Sequence, residues 1–144
     1  HGKVEGPIPH LNLELEMNIQ ELCLDAIKKG IIKSAHDISD GGLAINISES
    51  IVNAKKGIGA KLDVIRKLKN CELLFGECQS VIVVTVEEPA LYELVLLAQK
   101  LDMYTQTIGR VTNNNKIIIN DQINISRDKI EDAYFNSLGR VMEK

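Results

Sequence analysis

The sequence has no tryptophan, two phenylalanines and three tyrosines in 144 residues, so aromatic rings cannot carry its core. A core must rest on Ile, Leu and Val, and the chain is long enough to bury one within a single domain. A basic excess is also missing: 17 Lys and Arg stand against 20 Asp and Glu, a formal charge of -3. Without surplus cations to neutralise phosphates, nucleic acid is excluded as the main partner. Cys23, Cys71 and Cys78 form no CxxC pair and leave one thiol over from any disulfide, which points to free thiols and a cytoplasmic setting. His1, His10 and His36 are scattered and suggest no zinc site. Apolar runs such as Val81 to Val84 are strand-sized, and none approaches a membrane span. The opening HGKVEGPIPH has neither the apolar centre of a signal peptide nor the composition of a transit peptide. What is present, 44% hydrophobic and 26% charged residues, is the make-up of an ordinary globular domain.

Residues 1–13 read as an extended linker from a preceding domain, because Gly6, Pro7 and Pro9 prevent a helix there. Residues 14–144 read as one domain. Leu15, Ile19, Leu22, Cys23, Ala26 and Ile27 share a helical face, closed by Lys28, Lys29 and the terminator Gly30. Ile31 to Ile38 predicts a short buried strand running into the loop Ser39-Asp40-Gly41-Gly42. A second helix carries Leu43, Ala44, Ile47 and Ile51 and breaks at Lys55 to Gly57. Ile58, Ala60, Leu62 and Val64 then alternate with Lys61 and Asp63, as in a half-buried strand.

Ser80 to Val86 is almost wholly apolar and predicts a central strand covered on both faces. Pro89 opens a helix with Leu91, Leu94, Val95, Ala98 and Leu101 on one side. Tyr104 to Val111 and Lys116 to Asn120 suggest a hairpin across Asn113-Asn114-Asn115. A last helix presents Ile130, Ala133, Tyr134, Leu138 and Val141. This order implies an α+β fold, an α/β sandwich whose mixed, mainly antiparallel sheet carries packed helices. The absence of GxGxxG and the interrupting hairpin argue against a Rossmann fold.

Two stretches hold groups suited to chemistry. In Ser34-Ala35-His36-Asp37-Ile38-Ser39-Asp40-Gly41-Gly42-Leu43 a strand end, carboxylates, a hydroxyl and two glycines come just before a helix. Helix-start N–H groups attract anions, glycines let phosphate approach, and Asp37 has the hard oxygen chemistry that magnesium prefers. Equally, Ser39 or Asp40 could cap the helix and the glycines permit only a tight turn. In Leu73-Leu74-Phe75-Gly76-Glu77-Cys78-Gln79-Ser80, Glu77 and Gln79 would share one side if the strand has begun, able to bond a ligand or a loop. Cys78 lacks a nearby histidine and reads as a small filler, not a nucleophile. The cations from Lys55 to Lys69 read as a solvated face, and Lys116, Arg127 and Arg140 carry no specific signal.

Taken together, SAHDISDGGLAINISES, GIGAKLDV and LLFGECQSVIVVTV resemble the last domain of phosphoribosylformylglycinamidine synthase. That family shows HDxSDGGL before a helix, a GxGA strand, and LFGESQ ahead of its central strand. The similarity extends to EGPIPHLNLELEMNIQELCLDAIKKGIIKSAHD and IGRVTNNNKIIIN, and so to nearly the whole chain. The chain departs from the pattern at Cys78, where the family has serine.

The resemblance implies an enzyme that converts formylglycinamide ribonucleotide and glutamine-derived ammonia to formylglycinamidine ribonucleotide at the expense of ATP. It implies ATP or ADP and Mg2+ as cofactors. Its partners would be the rest of the synthetase chain, a glutaminase subunit and a small accessory subunit. No catalytic residue falls in this domain, so the fragment alone is expected to be inactive. Carried over by motif, Asp37 would serve magnesium, and Ser39, Gly41 and Gly42 an auxiliary nucleotide. Glu77, Cys78 and Gln79 would form a substrate-binding or structural loop. Two other readings stand beside this one: a non-catalytic scaffold domain, and a related enzyme of the selenophosphate synthetase or aminoimidazole ribonucleotide synthetase type.

Overall fold

The computed structural model describes residues 11–65 and 67–143. They form five α-helices and six strands, grouped in two compact units that each draw on two stretches of chain. The first unit contains the stretch up to Ser39 together with Cys78–Thr105, and the second contains Asp40–Glu77 with the stretch from Gln106 onward. The linker expected at residues 1–13 lies almost entirely outside the described residues.

In the first unit, α1 (Leu13–Lys28) starts where the Asn12 side chain accepts the Leu15 N–H at 3.1 Å. Glu14 and Glu16 lie in its first turn and Lys28 in its last, each complementing the helix dipole. At its end Gly30 adopts φ 72°, its N–H bonds Ile27 O at 2.9 Å, and the Ile31 N–H bonds Ala26 O at 3.0 Å. This double closure needs a left-handed residue, and it folds Ile31 back onto Ala26. Strands β1 (Ile32–Asp37) and β3 (Ile82–Val86) pair antiparallel, with a bulge between Ile32 and Ser34. Pro89 sits in a 3-10 turn, Glu88–Ala90, that leads into α4 (Leu91–Lys100). Leu22, Ala26, Ile31, Ile32, Leu94 and Ala98 close the core of this unit. Each fully buried Leu or Ile there stabilises by about 1.5–3 kcal/mol.

Two expectations change here. β1 is buried only at its start, because past Ile32 most of its residues are exposed. β3 is not a central strand: β1 is its one partner among the described residues, and every residue in it is half-buried.

In the second unit the sheet order is β4-β2-β5-β6. β2 (Gly59–Leu62) pairs antiparallel with β4 (Gly109–Thr112) and parallel with β5 (Lys116–Ile119), and β6 (Ile123–Ser126) pairs antiparallel with β5. The hairpin expected across Asn113-Asn114-Asn115 is therefore split, with β2 inserted between its arms. The connection passes over the start of β2, where a side chain on Gly59 would collide with Lys116 O and with Asn114 Oδ1. Asn115 takes φ 56° in the same crossing. The directly connected hairpin is β5–β6, turned at Asn120 with φ 50°.

α2 (Gly42–Asn53) buries Leu43, Ala44, Ile47 and Ile51 as its spacing requires, and β2 buries Ala60 and Leu62. Ile117 and Ile119 complete this core. α3 (Asn70–Phe75) contributes Leu74. α5 (Arg127–Met142) docks through Arg127 and Ile130, whereas Tyr134, Leu138 and Val141, expected on its buried face, are exposed.

Arg127 is 3% exposed and ties α5 to the end of α2. Its guanidinium donates to Val52 O at 3.1 Å, Ala54 O at 2.7 Å and Lys55 O at 2.5 Å, and its Nε to Glu131 at 2.6 Å. The last carbonyls of a helix lack partners within it, so the cation satisfies those of Val52 and Ala54, and it shares Lys55 O with the Ile58 N–H at 3.3 Å.

Candidate functional site

The HDISDGG stretch crosses from one unit to the other, so its residues are placed in two separate settings. Asp37, Ser39, Cys78 and Gln79 belong to the first unit. Gly41, Gly42 and Glu77 belong to the second.

In the first unit, β1 ends at Asp37, and the Ile38 N–H donates to Val81 O at 2.9 Å, extending the ladder by one bond. The Asp37 side chain is 72% exposed. His36 is committed locally: its Nδ1–H donates to the main-chain carbonyl of Asp37 at 2.8 Å. Ser39, Cys78 and Gln79 are exposed. Residues 76–81 precede the strand, so Glu77 and Gln79 do not share a strand face as their spacing suggested.

Glu16 stands near Asp37 and was not legible as a neighbour, since it lies a helix away in sequence. Its Oε2 accepts the Ser80 hydroxyl at 2.6 Å and its Oε1 the Gln20 amide at 2.7 Å. Ser80 adopts φ 57° to make this contact. The Ser80 bond first, then that from Gln20, holds the Glu16 carboxyl below the usual range, against burial and the field of Asp37. The first unit thus places two carboxylates, Glu16 and Asp37, and the Ser80 hydroxyl in one neighbourhood. That oxygen chemistry is suited to a hard cation. Among the described residues no three His, Cys, Asp or Glu side chains come together, so such an ion would complete its shell from phosphate oxygens and water.

In the second unit the two motifs interlock. Gly41 takes φ 80° and Gly42 φ 71° at the start of α2. Glu77 Oε1 accepts the Gly41 N–H at 3.1 Å and so places a carboxylate at the positive end of α2. A Cβ on Gly42 would lie 2.7 Å from the Phe75 carbonyl carbon and 2.9 Å from Gly76 O. Gly42 therefore has to be glycine for a reason internal to the protein: the backbone of Phe75-Gly76 packs directly on it. Gly76 in turn donates to Glu72 O at 3.0 Å as α3 ends.

Comparison with known proteins identifies the family of the chain. The family model for "AIR synthase related protein, C-terminal domain" matches residues 4–122. The phosphoribosylformylglycinamidine synthase subunit PurL of Bartonella henselae is 40% identical over 129 residues, covering 90% of this chain and 17% of the relative. The same subunit of Alkaliphilus metalliredigens is 32% identical over 146 residues, covering 99% of this chain and 20% of the relative. Among solved structures, PurLQS from Thermotoga maritima superposes with a TM-score of 0.75 at 18% identity, over 86% of this chain and 23% of that one. T. maritima PurL complexed with ATP gives a TM-score of 0.66 at 16% identity, over 79% and 21%. These structural likenesses establish the fold, helices with mostly antiparallel sheets. The chain spans about a fifth of the length of the relatives it matches. It belongs to the family of AIR synthase related proteins, as their C-terminal domain, and its relatives are subunits of phosphoribosylformylglycinamidine synthase.

Proposed function

We propose that residues 14–144 are the C-terminal domain of a cytoplasmic, ATP-dependent synthetase, joined by residues 1–13 to a preceding domain. The enzyme would amidate formylglycinamide ribonucleotide with ammonia released from glutamine. The observation that carries this reading is the 40% identity to a phosphoribosylformylglycinamidine synthase subunit across 90% of the chain. When bound at its catalytic centre, Mg-ATP supplies the phosphoryl group that turns the amide oxygen into a leaving group for ammonia. No residue here is assigned to that centre. The enzyme's partners would be a glutaminase subunit and a small accessory subunit; that a PurLQS assembly has been solved for T. maritima supports a multi-subunit complex.

Within this domain Asp37 would hold magnesium and Ser39 a phosphate oxygen of an auxiliary ATP or ADP. The exposed Asp37 carboxylate and the nearby Glu16 fit such a cation. Gly41 and Gly42 would shape this loop rather than touch the nucleotide, since Glu77 uses the Gly41 N–H and Phe75-Gly76 fills the space beside Gly42. Glu77 would thus be the structural member of its loop, with Cys78 and Gln79 left exposed for contacts.

Asp37→Asn and Ser39→Ala, made in the full-length synthetase, test this. Asp37→Asn is expected to weaken magnesium-dependent nucleotide retention the more strongly, because it removes the charge and keeps the shape. Ser39→Ala removes one neutral hydrogen bond, about 0.5–1.5 kcal/mol, and so lowers nucleotide affinity by roughly two- to tenfold. A wild-type enzyme that retains no nucleotide, with both variants indistinguishable from it, would leave the second reading. On that reading the loop is a turn and a cap in a scaffold domain, as the Glu77 bond at the α2 N-terminus also allows.

A further inference from the structure

The last helix turns most of an apolar stripe to solvent. Tyr134, Leu138 and Val141 recur at helical spacing with Phe135 and Met142 beside them, and all five are 50–77% exposed. The rings of Tyr134 and Phe135 meet edge to face with centroids 5.1 Å apart. The polar side of α5 is satisfied within the helix: Asp132 accepts from Asn136 at 2.9 Å and also from Arg140. A contiguous exposed apolar patch of this kind marks an interaction surface.

The coverage of the comparisons says which kind. The family-wide match stops at residue 122, ahead of α5, whereas the alignment with the A. metalliredigens subunit takes in 99% of the chain. The helix therefore lies beyond the residues that the family model matches and within those aligned with the synthetase subunit.

We infer that the Tyr134–Met142 stripe docks into an apolar groove on another part of the synthetase polypeptide, within the four-fifths of the relatives' length that this chain does not span. This rests on the family assignment and the length of the relatives, not on the nucleotide reading. A second copy is the weaker occupant on area. Five side chains on one helix fall well short of the roughly 20–30 residues a side of a stable complex. A tethered partner needs less, because the linker holds it at an effective concentration on the order of millimolar. The recognition is that of an amphipathic helix in a groove, read through i, i+4 and i+7 anchors.

The double variant Leu138→Asp/Val141→Asp, compared in the full-length synthetase and in the 144-residue chain, decides this through amide hydrogen exchange at residues 134–142. In the wild type, exchange is expected to be at least tenfold slower at full length than in the 144-residue chain. The double variant should abolish that difference and leave melting of the 144-residue chain unchanged. The control Asn136→Ala, on the polar side, should keep the difference. Full-length protein that fails to fold with the double variant, beside a 144-residue variant that folds, would also support the inference. Equal exchange at both lengths in the wild type would overturn it. So would unfolding of the variant at both lengths, or a 144-residue dimer that the double variant dissolves. Nucleotide retention is read separately, so failure here and failure of the nucleotide site are distinguishable.

Discussion

At the scale of single residues, Gly42 is a position where one added methyl group meets both strain and backbone. It combines φ 71° with backbone atoms of Phe75 and Gly76 at 2.7–2.9 Å from an added Cβ, and none of these is a flexible side-chain end. Gly42→Ala is expected to destabilise by about 3 kcal/mol or more, as left-handed strain and the clash add. At Gly41, with φ 80°, the obstacle is the Ile45 side chain, which is partly exposed and can move. Gly41→Ala should then cost less than Gly42→Ala, about 1–2 kcal/mol of left-handed strain plus the shift of Ile45 Cγ1, 2.5 Å from the added Cβ. Urea denaturation of the two variants checks the order, and equal midpoints would refute it. Glu16 makes a pH-dependent link between α1 and Ser80. Its carboxyl is depressed in the folded protein, so the stabilisation is fully present above the ordinary glutamate value, about 4.3, and is lost as pH falls through the lower folded value. Ser80→Ala should raise the Glu16 titration midpoint, as followed by NMR of its carboxyl carbon. An unmoved midpoint would show that Ser80 is not the main cause.

At the scale of elements, Arg127 couples two helices through backbone alone. Its guanidinium bonds three main-chain carbonyls, those of Val52, Ala54 and Lys55. Arg127→Met keeps much of the volume but takes the cation from the Val52 and Ala54 carbonyls and from Glu131, for an expected loss of about 3–5 kcal/mol. Arg127→Lys should recover only part of it, because a single ammonium cannot reach a fork of acceptors. Thermal melting of both variants measures this, and a Lys variant as stable as the wild type would contradict the fork geometry. The crossing over β2 is a second element-level constraint. Gly59 leaves room for the passage between β4 and β5, so the split hairpin and that glycine require each other.

At the scale of the molecule, each compact unit is assembled from two stretches of sequence, so neither can be cut out as a continuous piece. Removing residues 106–144 would take Ile117, Ile119 and Ile130 from the second core and leave β2 without a partner strand. On the proposed reading the 144-residue chain lacks the catalytic centre, and it spans about a fifth of its relatives. It should show no ATP turnover dependent on formylglycinamide ribonucleotide in a coupled phosphate-release assay. Turnover above the blank would overturn the assignment of chemistry to another part of the synthetase.

The sequence by itself determined α1, α2, α4, the start of α5, the alternation of β2 and the stop at Gly30. Each rests on local spacing: 3.6-residue periodicity, two-residue alternation, or one residue able to take φ 72°. It also determined which two motifs matter. Only the tertiary structure decided that β2 separates β4 from β5, since inserting a strand from some fifty positions upstream leaves no local trace. The short elements escaped for lack of periods: α3 buries Leu74 alone, and β6 has just four residues. Arg127 was unreadable because its acceptors are main-chain carbonyls 72–75 residues away, which have no side-chain signature. Sequence separation, here 36 residues, also hid the contact of Glu77 with Gly41. Spacing could nominate both motifs, but only folding could give the anion-attracting end of α2 a carboxylate of the protein's own.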